Sequence, residues 1–324
     1  MRNLFLVLLF FGIFVGIQIA LFQSDNDSEI EANFDEVISS VVQIESTDYR
    51  GGKTFGSGVI VSKDGYIITA YHLLINSQNL MVKSNEVEIS TKIIGFDQFS
   101  DIAVVKVDLN NLRPIELPEL KQLNIGKQVF AIGNPYNLGI SVSSGIISAT
   151  NRHFGNPYLD IIQTDAAINK GNSGGALINS DGELIGLSTL IASASGGSDG
   201  VGFALPSDKV LSITNEIIKY GKVNRAWLGD FRFRSGFFTP TNSSTRIPVL
   251  YAVELNSNSN FTDGLKDGDI IISIKGAEAR WNILLASVNS IIPGEVLDLR
   301  VIRSDKELDL KLITKERPNT PQAL

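Results

Sequence analysis

Both histidines of the chain, His72 and His153, precede the segment Gly171-Asn172-Ser173-Gly174-Gly175. That order constrains the fold more than any other feature. A serine nucleophile needs an exposed Oγ, a base within reach and backbone N–H donors close by. Flanking glycines let the backbone turn tightly enough to supply those donors. Taken alone, such a string is more often an ordinary glycine-rich turn. It also fits Gly-x-Ser-x-Gly, the nucleophile turn of α/β-hydrolases, in which serine, acid and histidine follow in that order. No histidine follows Ser173, so that order is closed to this chain. Any imidazole base has to come from upstream of the serine, as in the chymotrypsin order histidine, aspartate, serine.

Of the two histidines, His72 ends the apolar run Ile67-Ile68-Thr69-Ala70-Tyr71, whereas His153 lies in the loop-like Asn151-Arg152-His153-Phe154-Gly155-Asn156-Pro157. A base leaving a buried strand is held rigidly, so His72 is the candidate. The acid that orients it should be fixed and partly buried. Asp101 opens the strand-like Ile102-Ala103-Val104-Val105, and Asp97, in the loop before it, is the alternative.

Composition removes other chemistries. The chain has no cysteine, which excludes disulfides, thiolate metal sites and a cysteine nucleophile. Two histidines and no HExxH leave no multi-histidine metal site. Neither a metal nor a cofactor is implied. A net charge of −7 without a basic stripe argues against nucleic acid as a partner.

Residues 4–22 form an apolar run broken only by Gln18 and two glycines, with Arg2 before it and Asp25, Asp27, Glu29 and Glu31 after it. As a helix it would rise about 28 Å, close to the thickness of a bilayer core. The charge order puts the N-terminus in the cytoplasm and the remainder outside. A cleaved signal peptide is the competing reading, but its apolar stretch is ordinarily shorter. The expected organisation is a membrane anchor over residues 1–23, an acidic tether over 24–33, a β-rich domain over 34–224, a second unit over 225–316 and a tail over 317–324.

In the β-rich domain, Lys63-Asp64-Gly65 and Ser180-Asp181-Gly182 each separate two apolar runs, a hairpin signature. Pro206-Ser207-Asp208 opens a helix with an apolar face at Val210, Leu211, Ile213, Ile217 and Ile218, and Gly221 stops it. In the second unit, residues 232–247 read as an irregular insertion, while 297–301 and 308–313 alternate as strands.

Four segments together resemble the HtrA (Deg) family of serine proteases: Thr69-Ala70-Tyr71-His72, Ser100-Asp101-Ile102-Ala103-Val104, Gly171-Asn172-Ser173-Gly174-Gly175 and Gly200-Val201-Gly202-Phe203-Ala204-Leu205-Pro206. The resemblance implies a mainly β fold, a chymotrypsin-like double β-barrel. Ser173 would attack the peptide carbonyl, His72 would act as base and Asp101 would orient it. The N–H groups of Gly171 and Ser173 would form the oxyanion hole. Ala167, six residues before the serine, would colour the floor of the S1 pocket and favour a small or medium aliphatic residue.

Gly264-Leu265-Lys266-Asp267-Gly268-Asp269-Ile270-Ile271 with Ile274-Lys275-Gly276 resembles a PDZ domain. Its carboxylate-binding loop would be Trp227-Leu228-Gly229-Asp230, where Asp230 replaces the family's apolar residue. One anchor, one protease and one PDZ unit are similar to the family's anchored branch, the site-1 proteases of envelope stress signalling. That likeness implies a homotrimer at the bacterial inner membrane with its catalytic domain in the periplasm. The substrate would be a membrane-bound anti-sigma factor, and the C-termini of unfolded outer-membrane proteins would activate cleavage through a sensor loop at residues 151–160. Arg152 is the only arginine of that loop. Broad degradation of misfolded proteins is the rival activity, and a non-proteolytic peptide-binding scaffold is the rival class.

Overall fold

A computed structural model describes residues 34–84, 87–118, 123–153, 160–191, 197–240, 244–255 and 264–316. The apolar run 4–22, the tether and the tail lie outside them. Among the described residues no helix is long and apolar enough to cross a membrane.

A short helix, α1 (Phe34–Ser39), leads into six strands: β1 (Val41–Asp48), β2 (Lys53–Ile60), β3 (Tyr66–Ala70), β4 (Ser77–Ser84), β5 (Val87–Asp97) and β6 (Ile102–Val107). They close into a barrel in the order β1-β2-β3-β6-β5-β4. β2 and β3 pair antiparallel across Lys63-Asp64-Gly65. Gly65, at φ +102°, takes a conformation that a side chain would strain. Val42, Ile44, Ile60, Ile67, Val82 and Val105 fill this barrel.

A second barrel repeats the plan with β7 (Gln128–Gly133), β8 (Ser141–Arg152), β9 (Ile161–Thr164), β10 (Ala176–Ile178), β11 (Leu184–Ile191) and β12 (Gly202–Pro206). Its order is β10-β11-β12-β9-β8-β7. Val129, Ala131, Ile162, Leu177 and Ala204 pack inside it. A separate apolar layer joins the barrels, with Val59, Ile68 and Val104 from the first meeting Ile132, Ile178 and Leu205 from the second. Burying side chains of this size removes them from water at about 1.5–3 kcal/mol each. That layer fixes the barrels relative to each other, and with them the loops at their junction.

The helix α2 (Ser207–Tyr220) follows. Val210, Ile213 and Ile217, at helical spacing, add to the layer between the barrels. Gly221 ends the helix in the left-handed conformation, φ +75°, and donates its N–H to the Ile217 carbonyl at 2.8 Å.

The C-terminal unit comprises β13 (Ala226–Trp227), β14 (Phe231–Phe238), β15 (Ile247–Glu254), β16 (Ile270–Ile274), β17 (Ala277–Glu278), the helix α3 (Trp281–Ser290), β18 (Val296–Arg303), β19 (Lys306–Ile313) and β20 (Lys315–Glu316). One sheet runs β14-β15-β16-β18-β19, and β13 pairs with β20. The expected irregular insertion from residue 232 is not what the chain does there. Phe231 and Phe233 are buried while Arg232 and Arg234 are exposed. That period-two pattern makes residues 231–238 a strand.

The Asp267-Gly268-Asp269 run has a structural role. Asp269 is buried and takes both Nε and Nη2 of Arg303 at 2.7 Å, plus the Lys266 N–H at 2.8 Å. The Asp269 carboxylate in turn raises the pKa of Arg303, against the opposing effect of burial.

Candidate active site

His72 leaves the end of β3 in a short 3-10 turn, Tyr71–Leu74. Asp101 occupies the turn between β5 and β6, beside it. Its carboxylate takes the His72 backbone N–H at 2.9 Å on Oδ1 and lies 2.7 Å from His72 Nδ1 on Oδ2. An ionised carboxylate only accepts, so the proton sits on Nδ1 and leaves Nε2 free to act as a base. Asp101 reaches this position with φ +56°, a left-handed conformation uncommon for aspartate. The Tyr71 N–H holds the Asp101 carbonyl at 3.0 Å and helps to keep it there.

Asp97 has a different task. It is buried, accepts the Ser100 hydroxyl at 2.5 Å and pairs with Arg225 at 2.9 Å. Arg225 belongs to the segment that connects α2 to β13. The turn carrying Asp101 is therefore braced from the linker to the C-terminal unit.

Ser173 sits in the loop before β10, and two features press that loop against the first barrel. Ser57, fully buried on β2, donates its N–H to the Ser173 carbonyl at 2.9 Å and its hydroxyl to the Gly171 carbonyl at 2.7 Å. Gly174 has φ +81°, and a Cβ there would stand 2.3 Å from the Ser57 carbonyl oxygen and 2.7 Å from the Ala70 nitrogen. Glycine lets the serine loop lie directly on the strand end that delivers His72.

The same loop orients an N–H donor. The Tyr136 N–H holds the Lys170 carbonyl at 2.8 Å. In a trans peptide the next N–H points the opposite way, so the Gly171 N–H is turned away from Tyr136. Neither the Gly171 nor the Ser173 N–H is taken up by a backbone carbonyl among the described residues. Tyr136 itself has φ +53°, and its hydroxyl bonds Asn169 Oδ1 at 3.2 Å. Sequence reasoning missed Ser57, Tyr136 and Arg225. Only Asn134-Pro135 before Tyr136 marks a turn there.

Ala167 is half-buried. Its carbonyl accepts the Ser143 hydroxyl at 2.8 Å and Asn172 Nδ2 at 3.3 Å. In the C-terminal unit Trp227 and Leu228 are buried, Gly229 has φ +100°, and the half-buried Asp230 offers its carbonyl to the Leu255 N–H at 2.7 Å. Arg152 is the last residue of β8, not part of a loop, and its Nε donates to Gln163 Oε1 at 3.1 Å. Residues 154–159 of the expected sensor loop lie outside the described residues. His153 is described: its ring stacks on Trp281 of α3, centroids 3.5 Å apart at 21°. Burial there depresses the imidazole pKa. Among the described residues no group of three or more His, Cys, Asp or Glu could hold a metal ion.

Comparison with known proteins agrees with this geometry. Residues 56–187, which include His72, Asp101 and Ser173, match the family model described as "Trypsin-like peptidase domain". The "Probable periplasmic serine endoprotease DegP-like" of Pseudomonas putida (strain ATCC 700007 / DSM 6899 / JCM 31910 / BCRC 17059 / LMG 24140 / F1) is 35% identical over 281 residues, 83% of this chain and 58% of that protein. The periplasmic serine endoprotease DegP of Escherichia coli (strain K12) is 37% identical over 265 residues, 79% of this chain and 56% of that protein. The chain thus spans a little over half the length of these curated relatives. A solved structure described as "HtrA-type protease AlgW with tripeptide" is 33% identical, with a TM-score of 0.73, covering 89% of this chain and 98% of that one.

Proposed function

Because the chain belongs to the HtrA family of serine proteases, we propose that it is a periplasmic serine endopeptidase working through Ser173, His72 and Asp101. The observation that carries this is the Asp101–His72 pair, 2.7 Å apart, at the strand end against which the Ser173 loop is pressed. His72 Nε2 takes the Ser173 proton as Oγ attacks the peptide carbonyl, then passes it to the leaving amine. Asp101 holds the tautomer and stabilises the imidazolium. The N–H groups of Gly171 and Ser173 receive the oxyanion, and losing one such donor costs about 10²–10³ in rate. No cofactor is needed.

Ser173→Ala tests the assignment. Hydrolysis of unfolded casein and of peptides should disappear while the fold persists, and retained turnover would overturn it. With Ala167 at the S1 position, a peptide library should be cut after small or medium aliphatic residues. A profile dominated by Lys or Arg would contradict that part.

The finer reading is a regulated, membrane-anchored site-1 protease of DegS type. The apolar run at 4–22 supports an inner-membrane anchor. The C-terminal unit supports a PDZ domain, with Trp227-Leu228-Gly229-Asp230 as its carboxylate loop. The similar AlgW structures carry a tripeptide or a decapeptide, which supports peptide control. On this reading a homotrimer cleaves a membrane-bound anti-sigma factor when the C-termini of unfolded outer-membrane proteins dock on the PDZ unit. The DegP-like relatives favour a second reading, general quality control. Digesting casein and a membrane-bound anti-sigma factor in parallel, with and without C-terminal peptides, separates them. Peptide-independent casein turnover supports quality control, and peptide-dependent cleavage of the membrane substrate supports the regulated reading.

A further inference from the structure

β14 hydrogen-bonds to β15 alone, so among the described residues its other edge has no strand partner. The strand is two-faced. Phe231 and Phe233 are buried in the same cluster as Leu284 and Val288 of α3, and Arg232 and Arg234 point away from it, exposed. Directly opposite the two arginines on β15 stand Val253 and Tyr251, neither an acid. The arginines that form ion pairs among the described residues are Arg113, Arg225, Arg280, Arg300 and Arg303. Arg232 and Arg234 are not among them. Two guanidinium groups thus stand two residues apart on an open edge, in a chain whose net charge is −7.

We propose that this edge takes an extended peptide as an added strand and reads acidic side chains on it through Arg232 and Arg234. The proposal rests on the peptide-binding reading of the C-terminal unit. It adds the chemistry of the ligand.

A strand added antiparallel to β14, with its terminal carboxylate at residues 227–230, would set its last side chain on the apolar face, toward α3. The pleat then puts the side chains one and three places before the last on the arginine face. Asp or Glu at those two places would stand across from guanidinium groups, where opposite charges attract and like charges repel. The preferred ligand reads acid, any residue, acid, apolar terminus. Asp230 precedes the arginines in the strand's alternation, and the two positive charges outnumber its single negative one.

Fluorescence polarisation with the full chain carrying Ser173→Ala tests this without cleavage. The probes are labelled decapeptides ending in phenylalanine, with Glu, Gln or Lys at both positions, and the Glu peptide as its C-terminal amide. The Glu peptide should bind about three- to tenfold tighter than the Gln peptide, and the Lys peptide more weakly than either. Arg232→Gln with Arg234→Gln should erase the difference, as should high salt. Equal binding of Glu and Gln peptides, both tighter than the amide, would overturn the charge reading and leave carboxylate capture standing. Equal binding of the free acid and the amide would overturn carboxylate capture and this register with it. Retention on anionic vesicles that the double variant loses, without Glu–Gln discrimination, would assign the arginines to a membrane surface and overturn the proposal.

Discussion

Removing Arg225 should damage catalysis from the interdomain linker. Its partner Asp97 has a side chain only 6% exposed, and Arg225 itself is 18% exposed. Deleting one member of a buried pair leaves the other charge unpaired, at about 3–5 kcal/mol. The Ser100 hydroxyl at 2.5 Å still holds Asp97, and water reaches the gap left by a partly exposed side chain. The expected loss for Arg225→Ala is therefore about 2–3 kcal/mol. Asp97→Asn combined with Arg225→Ala removes the stranded charge and should cost only about 1 kcal/mol.

The same brace supports the turn that keeps Asp101 in its left-handed conformation. Each 1.4 kcal/mol lost from that alignment lowers the rate about tenfold. Urea unfolding of the single and double variants, with kcat and KM on one peptide, reads both effects. Arg225→Ala should be less stable than the double variant, with kcat lowered and KM little changed. Equal stability of the two proteins would refute the stranded-charge argument. An unchanged kcat would refute the link from Arg225 to Asp101.

Gly174→Ala forces a Cβ to 2.3 Å from the Ser57 carbonyl at φ +81°. It should abolish peptide hydrolysis and lower Tm, as measured by scanning calorimetry. Gly126→Ala, with positive φ but open space around it, should cost only about 1 kcal/mol. The His153–Trp281 stack should weaken in acid. Burial depresses the imidazole pKa, so the folded form favours neutral histidine. The stack's contribution is present above the ordinary pKa of about 6.5 and is lost as pH falls through the lower folded value. Trp281 emission in a Trp227→Phe protein should shift over that range, and His153→Gln should flatten the titration.

Much of the site was legible because its chemistry depends on order. Two histidines, both ahead of Ser173, close the order serine, acid, histidine, and the apolar run before His72 marks the strand that delivers it. The hairpin at Asp64-Gly65 and the helix stop at Gly221 were visible because positive φ selects glycine. The supports were not visible. Ser57 acts on residue 171, which is 114 positions away, and Tyr136 acts through its backbone N–H, which every residue but proline possesses. Arg225 looks like any linker arginine until the fold sets it beside Asp97. The strand at Phe231–Phe238 is hidden in the sequence because Ser235, Gly236 and the polar run at residues 239–245 mask two alternating Phe-Arg pairs.

The most direct test of the whole account is the site of covalent labelling by a fluorophosphonate. Mass spectrometry of the labelled chain should find one adduct, on Ser173, lost in His72→Ala and strongly slowed in Asp101→Asn. An adduct on another serine, or labelling of Ser173 that persists at full rate without His72, would contradict the catalytic assignment.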